Sequence, residues 1–561
     1  MRRFLFSGAL LFFGLFPVLG QRVPVNGDTL NFTSVLFSFP WIDGYEKFRI
    51  QVVNLQDSSV NFLYDCTTNK KLIERLAFGQ SYRWRYGGLN SQYEVGVWSE
   101  YQSFHIATSD YVDPELYTYK GKRRKRGIGE AGILLMDAGR VGVSRIGRPA
   151  FFLRNGPFLN ENTVVRDLKM THNGTFTALF DSTACEFELD GTILWKAPDD
   201  GRINGETREH YHHEFTKLPT GNYVVLGLDY VQRTAADGST VKVEFGTIIE
   251  YKSDGSIAWS WNSKDYFSDK DLFYKKSREG AYDTQTHMNA CTMDSLYVYA
   301  GFRDISRLIV IEKKTGKVMA SYGGNGFPQE PHSAVGFFRR QHGATRLSDG
   351  NFAVVNNDSV MDPAVVSSLV VFSPISKEQP QSKKVFEFKF DYDTLTNGKS
   401  VKTGNLIEMK NGNLFVNMGA LNRCVEVTRS GEVIWDMVMD RYDTNHRVWL
   451  PAPQYRVTFT PSLYPYEHTA RILQDKLMGE NRKITVRVWN IGALDDHVYL
   501  RLQAPEDQPK MVHRSQDRTV ASSNFVDLEF SVRELGALDI RIDGEHCRYS
   551  TILHLDSVRK Y

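Results

Sequence analysis

After its first twenty residues this sequence is dominated by apolar and polar residues alternating in short runs, cut by Gly, Asn, Asp and Ser. That period-2 pattern predicts β-strands joined by tight turns, and no later segment carries the sustained apolar face of a long helix. Two strand-turn-strand signals interleave along the middle of the chain. One is typified by His213-Glu214-Phe215-Thr216-Lys217-Leu218-Pro219-Thr220-Gly221-Asn222-Tyr223-Val224-Val225-Leu226. The other runs Glu188-Leu189-Asp190-Gly191-Thr192-Ile193-Leu194-Trp195 and returns as Tyr251 to Trp259, Glu312 to Val318 and Val427 to Trp435. A weaker copy is Met136 to Val141, and a degenerate one is expected between Val370 and Phe388. The turn glycines at 139, 191, 255, 316 and 431 step by roughly 50 to 65 residues, with one double step. Repeats of that size with two hairpin signals each predict the blades of a β-propeller, about six of them, each a four-stranded sheet.

The segments on either side read differently. Phe37 to Trp41, Tyr45 to Val53 and Tyr82 to Tyr86 are short alternating strands. They are similar to a fibronectin type III sandwich in which an early Trp, here Trp41, packs on a later aromatic strand. Lys483 to Trp489, Val498 to Leu502, Phe525 to Val532 and Leu538 to Ile542 predict a second small β-sandwich. The expected organisation is therefore all-β: a signal peptide at 1–20, an N-terminal fibronectin III-like β-sandwich at 21–119, a basic linker at 120–127, a β-propeller at 128–464 and a C-terminal Ig-like β-sandwich at 465–561.

Composition narrows the function classes. The formal charge is +2, with 68 basic and 66 acidic residues interspersed, which argues against a nucleic-acid footprint. Arg2 and Arg3 followed by an apolar run to Leu19 read as a secretory signal, and no later stretch reaches membrane-spanning length. A secreted (extracellular or periplasmic) protein is expected. The five cysteines have no spacing that specifies disulfides or a thiolate metal site and are read mainly as buried small residues. Lys120-Gly121-Lys122-Arg123-Arg124-Lys125-Arg126 is read as a solvated linker, with cleavage after Arg126 as the sharper reading. Asn31, Asn173 and Asn357 head N-glycosylation triplets.

The first repeat carries the chemistry. His213 stands eight residues before Gly221, His287 eight before Ser295, and His342 eight before Gly350; Arg166 holds the same place before Gly174. On innermost strands these side chains would enter one channel, joined by Arg303 from Tyr299-Ala300-Gly301-Phe302-Arg303. Imidazoles and a guanidinium suit an oxyanion, and a neutral imidazole is also a nucleophile. His212, next to His213 on a strand, is expected to point to the opposite face and to be structural. His446 is read as structural.

His212-His213-Glu214 with Leu218-Pro219-Thr220-Gly221-Asn222, Thr286-His287-Met288-Asn289, Phe302-Arg303, Gln341-His342, and Asn411-Gly412-Asn413 with Gly431 to Trp435 together resemble the arylsulfate sulfotransferase family over about Gly127 to Tyr464. That resemblance implies a six-bladed propeller enzyme that moves a sulfuryl group from a phenolic sulfate ester to an acceptor phenol without a nucleotide sulfate donor (PAPS). No G-x-x-x-x-G-K loop is present, in keeping with this. It implies His342 as the nucleophile of a transient sulfohistidine, His287 and Arg303 as ligands of the sulfuryl oxygens, and His213 as a catalytic proton carrier. Asn357 sits in a segment similar to the family's loop beside the site and is counted with His287 and Arg303 as substrate-binding. The expected partners are small-molecule aryl sulfates and phenols, with no cofactor, no metal, no nucleic acid and no membrane span; a homodimer is compatible with the family. Two alternatives stay open: an inactive propeller that binds sulfated ligands, and a metal-dependent propeller hydrolase or lyase.

Overall fold

The computed structural model describes residues 23–558 apart from 75, 125–131, 235–237, 268–274, 277–281, 325–331, 361, 395, 504–513 and 534–535. The expected signal peptide and the cleavage point after Arg126 lie outside the described residues. The chain divides into two compact units between Ala107 and Thr108.

In the first unit the sheet runs, in spatial order, Asp28–Leu30, Gln102–Ile106, Ser81–Leu89, Phe48–Asn54, Asn61–Cys66, and Val35–Ser38 pairs separately with Lys70–Ile73. Its core differs from expectation in one respect. Trp41 is only half-buried, and the fully buried indole is Trp84 on the later strand, edge-on to Phe37 at 5.1 Å. Trp84 sits mid-strand, where its Nε1 can donate to the Pro24 carbonyl at 2.9 Å and the ring can still be covered.

Among the described residues of the second unit, six sheets each hold four successive antiparallel strands. Five are continuous in sequence. The remaining one joins Ile133–Met136, Val141–Ser144 and Pro149–Phe152 to Val457–Thr460, with Ile133 opposite Thr460 and Met136 opposite Val457. The far end of the repeat array therefore completes its first sheet. The first strand of each continuous sheet (Val165–Met170, Phe215–Lys217, Met288–Met293, His342–Arg346, Asn405–Glu408) lies on the inside with Val457–Thr460, and each is tied to the next. Thr458 Oγ1 donates to the Leu168 carbonyl at 2.7 Å, and the Phe215 amide donates to Asp167 at 2.6 Å. The Cys291 amide reaches Glu214 at 3.4 Å, and Asn289 Nδ2 donates to the Gln341 carbonyl at 2.9 Å. Gly343 lies so close to Asn405 Cα that a Cβ would meet it at 2.6 Å, and Asn405 Nδ2 closes the circle on the Val457 carbonyl at 2.8 Å.

Faces of neighbouring sheets share apolar layers, such as Leu226, Val243 and Phe245 against Met288, Phe302 and Ile309. Each such buried side chain contributes about 1.5–3 kcal/mol. The repeated tryptophans act at the rim. Trp195 Nε1 donates to the Ser253 carbonyl at 3.0 Å, Trp259 to Lys313 at 2.9 Å and Trp435 to Arg145 at 2.9 Å, each time reaching a neighbouring sheet.

Beyond the last inner strand, His468–Met478, Asn481–Asn490 and Phe525–Val532 form one sheet, and Arg514–Val520, Asp496–Gln503, Leu538–Gly544 and Thr551–Leu555 form another. They enclose a core that includes Val486, Leu500, Phe530 and Ile540.

The basic run is not a linker along its whole length. Tyr117–Arg123 is a strand paired antiparallel with Val433–Asp443, from Tyr117 opposite Arg441 to Arg123 opposite Trp435. Arg124 then pairs with Asp436 at 2.9 Å and Asp393 at 3.0 Å. Free backbone groups at the edge of the last sheet recruit this segment, a pull that charge density in the sequence does not reveal. No disulfide joins any of the five cysteines, and burial pushes the Cys66 and Cys185 thiols up to about 12. Asn31 and Asn357 are almost wholly buried, 1% and 0% exposed, so neither presents its amide to a glycan.

Candidate functional site

The three register histidines stand where their inner strands begin. His213 precedes Phe215–Lys217, His287 precedes Met288–Met293, and His342 opens His342–Arg346. Each entry is bent by a left-handed residue: φ is 61° at His213, 54° at His287 and 59° at Gly343, and Asp167 has 58° in the first repeat. Such conformations cost roughly 1–2 kcal/mol in a non-glycine residue. Here they turn the start of each strand so that side chains from different sheets meet. The His213 and His287 ring centroids are 4.9 Å apart. Tyr455, just before the closing strand, lies 5.5 Å from His213 and 6.3 Å from His342. The Arg303 amide donates to the His287 carbonyl at 2.9 Å, which fixes that residue beside the cluster.

His342 is 4% exposed, and its Nδ1 lies 2.7 Å from Asn357 Oδ1. Asn357 Nδ2 is itself engaged by the Ser400 carbonyl at 2.8 Å, so the amide presents oxygen to the ring. His342 therefore carries its proton on Nδ1, and the lone pair is left on Nε2. Burial, the largest cause, lowers His342 to about 3, with Arg303 and His287 adding to it against the Asn357 hydrogen bond. The group is a neutral imidazole with one lone pair, the form a nucleophile needs. Asn357, counted with the substrate-binding residues in the sequence, is fully buried, with its amide engaged by His342 and Ser400.

His212 also differs from expectation. It does not point away from His213, because the left-handed bend at His213 breaks the strand alternation that would have separated them. The two Nδ1 atoms are in hydrogen-bond contact, and His212 Nε2 lies 3.1 Å from the Gly227 carbonyl. A carbonyl only accepts, so His212 is protonated on Nε2 and His213 must donate from Nδ1. That leaves the His213 lone pair on Nε2. Burial lowers His212 to about 3 and holds His213 well below the usual imidazole range, with neighbouring imidazoles and Arg166 adding to the effect. His287 is lowered as well, chiefly by burial, although Asp304 opposes it.

Cations surround these imidazoles. Arg303 and Arg340 both bind Asp304, at 2.6 and 2.5 Å. Arg456 is engaged below the cluster by Asp167 at 3.1 Å, Glu214 at 2.5 Å and the Asn289 carbonyl at 2.8 Å. Lys169 joins this buried group through Glu214 at 2.6 Å. Among the described residues no three of His, Cys, Asp and Glu converge with the geometry of a metal centre. His446 is exposed, with Asp443 at 3.0 Å as its partner, and takes no part. A cleft of about 350 Å³ lined by Thr292, Asp294, Tyr299 and Arg346 lies at the far ends of the same strands and contains none of the clustered residues.

The register histidines His213, His287 and His342 are thus brought together, with the Arg303 amide held by His287, and His212, Tyr455 and Arg456 join them without having been singled out for this in the sequence. The last two come from the closing segment, which has no copy elsewhere in the chain. The one signal for it was that an array of this kind must be completed by a strand from its end.

Comparison with solved structures gives only distant likenesses. A protein of unknown function from Bacteroides caccae is 14% identical over 56% of this chain and 94% of its own, with a TM-score of 0.33. A streptogramin B lyase is 11% identical over 61% and 98%, with a TM-score of 0.30. Hsv2 of Kluyveromyces lactis is 9% identical over 77% and 97%, with a TM-score of 0.23. No curated protein matches the sequence at a significant level. The model of the family described as arylsulfotransferase (ASST) matches residues 155–422. Over that span, which carries all three register histidines and Arg303, the chain belongs to the arylsulfotransferase family.

Proposed function

We propose that this protein transfers a sulfuryl group from a phenolic sulfate ester to an acceptor phenol through a sulfohistidine on His342, with no nucleotide donor. The reading rests on one observation above all: burial leaves His342 neutral, and the Asn357 contact at Nδ1 leaves the lone pair on Nε2. In the first half-reaction Nε2 bonds to sulfur as the sulfur–oxygen bond to the donor breaks and the phenolate departs. In the second, the acceptor oxygen bonds to sulfur, the N–S bond breaks, and His213 Nε2 takes the phenolic proton. His213 returns that proton to the donor phenolate of the next cycle; a bound sulfate ester nearby favours the charged imidazole that this requires. His287 and Arg303 support charge on the sulfuryl oxygens, and Asn357 positions His342. We further propose that the six sheets are the blades of one propeller, with a fibronectin III-like sandwich before it and an Ig-like sandwich after it, and that the protein is secreted.

The test is phenol release from a chromogenic aryl sulfate, with and without an acceptor phenol, after chelator treatment. Release that depends on acceptor, survives chelation and falls by at least about a thousandfold in His342→Asn is expected. Activity abolished by chelation would move the protein to a metal enzyme, and no turnover over a range of phenols would leave a binding protein.

A further inference from the structure

The cations near the clustered histidines differ in one way that bears on ligand binding. Arg303 and Arg340 share the carboxylate of Asp304, and Arg456 is held by Asp167 and Glu214. Arg166 makes no ion pair or side-chain hydrogen bond among the described residues. Its guanidinium lies 5.7 Å from the centre of the Tyr455 ring. It is half-buried, so its charge is only partly screened by water. In the sequence it occupies the histidine position of the first repeat, which places it on the first of the inner strands and at the same end.

Tyr455 supplies a second, independent sign of a ligand site. Its hydroxyl is buried and has no hydrogen-bond partner among the described residues, although its ring lies between His213 and His342. A buried hydroxyl without a partner carries an appreciable penalty, so such groups are normally satisfied by protein, water or ligand. Burial raises Tyr455 and keeps it protonated, so the hydroxyl is a donor. The Arg166 charge also reaches His212, His213 and His287, helping to hold them neutral. The cluster therefore combines a hydroxyl donor and a positive charge without an ion-pair partner among the described residues, at Tyr455 and Arg166, with a neutral nucleophile at His342.

We propose that Arg166 and Tyr455 form an anion-binding face that holds the oxygens of a sulfate group opposite His342. The chemical class follows from the donors. A planar guanidinium fork and one hydroxyl suit a compact tetrahedral oxyanion, and a sulfate monoester brings the single negative charge that Arg166 lacks a partner for. The identification of the ligand as a sulfate ester rests on the sulfuryl-transfer reading; the anion site itself does not.

The test is calorimetric titration of the full chain with inorganic sulfate, in wild type, Arg166→Met, Arg166→Lys and Tyr455→Phe, with melting curves as a check on folding. Arg166→Met should weaken sulfate binding by roughly 10- to 100-fold. Arg166→Lys should fall between it and wild type, since an ammonium keeps the charge but not the fork, and Tyr455→Phe should weaken binding several-fold. Lysine and phenylalanine variants also decide the matter if Arg166→Met does not fold. Sulfate binding within twofold of wild type in Arg166→Lys and Arg166→Met alike, or no sulfate binding by wild type, would overturn the proposal. Sulfate binding that depends on Arg166 in a protein that turns over no aryl sulfate would uphold the anion site and overturn the transferase reading instead.

Discussion

At the scale of single residues, chemistry here is set by tautomers as much as by identity. His342 and His213 each present a lone pair on Nε2 because Asn357, in one case, and the relay from His212 to the Gly227 carbonyl, in the other, occupy Nδ1. Desolvation lowers both rings, the buried His342 and the half-buried His213, so neither should titrate in the folded protein near the ordinary imidazole value. The expected pH–rate profile for aryl sulfate turnover is therefore flat through pH 6.5; an acid limb centred there would show that a freely titrating histidine is the nucleophile. Asn357→Asp places a carboxylate against Nδ1, which favours the imidazolium, raises His342 and should bring an acid limb into the accessible range. Asn357→Ala should lower kcat by about 10- to 100-fold through loss of the orienting hydrogen bond. The same depressed values bear on stability. A histidine lowered on folding stabilises the protein fully above its unfolded value near 6.5, and that stabilisation is lost as pH falls from there toward about 3. Melting temperature should accordingly drop on acidification below pH 6.5, and less steeply in His212→Phe than in wild type.

At the scale of elements, the decisive piece is Val457–Thr460 with the two residues before it. Arg456 links Asp167, Glu214 and the Asn289 carbonyl from three successive sheets, and its amide donates to Asp137 at 2.9 Å. Removing one partner from such a buried ionic group leaves the others uncompensated, so Arg456→Met should destabilise the protein by about 3–5 kcal/mol, read by denaturant unfolding. A loss below 1 kcal/mol would show that strand pairing alone closes the array. These elements also mark how far the sequence could be read. The hairpin period, the rim tryptophans and the histidine register were visible because they repeat, and each copy meets the same surroundings. Tyr455 and Arg456 were not, because they act once, across about 290 residues of sequence from Asp167. His212 was misjudged for a local reason, since alternation assumes an extended backbone and His213 is left-handed. Trp84 in place of Trp41 reflects which indole could bury its ring and still donate a hydrogen bond.

At the scale of the whole molecule, the strand Tyr117–Arg123 changes what cleavage in the basic run would do. It pairs along its length with Val433–Asp443, and Arg124 adds two ion pairs. Cutting the chain after Arg126 should therefore leave the preceding piece bound in gel filtration, with separation only under denaturing conditions. Release of that piece under native conditions would contradict the pairing. No helix among the described residues is long and apolar enough to cross a membrane.

The central claim, a sulfuryl group carried on His342, is tested most directly by quenching the protein with an aryl sulfate in the absence of acceptor and mapping modified peptides by mass spectrometry. The expected result is one sulfuryl group on the peptide containing His342, formed together with a burst of phenol, lost on adding an acceptor and absent in His342→Asn. Turnover to an acceptor with no adduct on that peptide, or with an adduct that persists in His342→Asn, would contradict it.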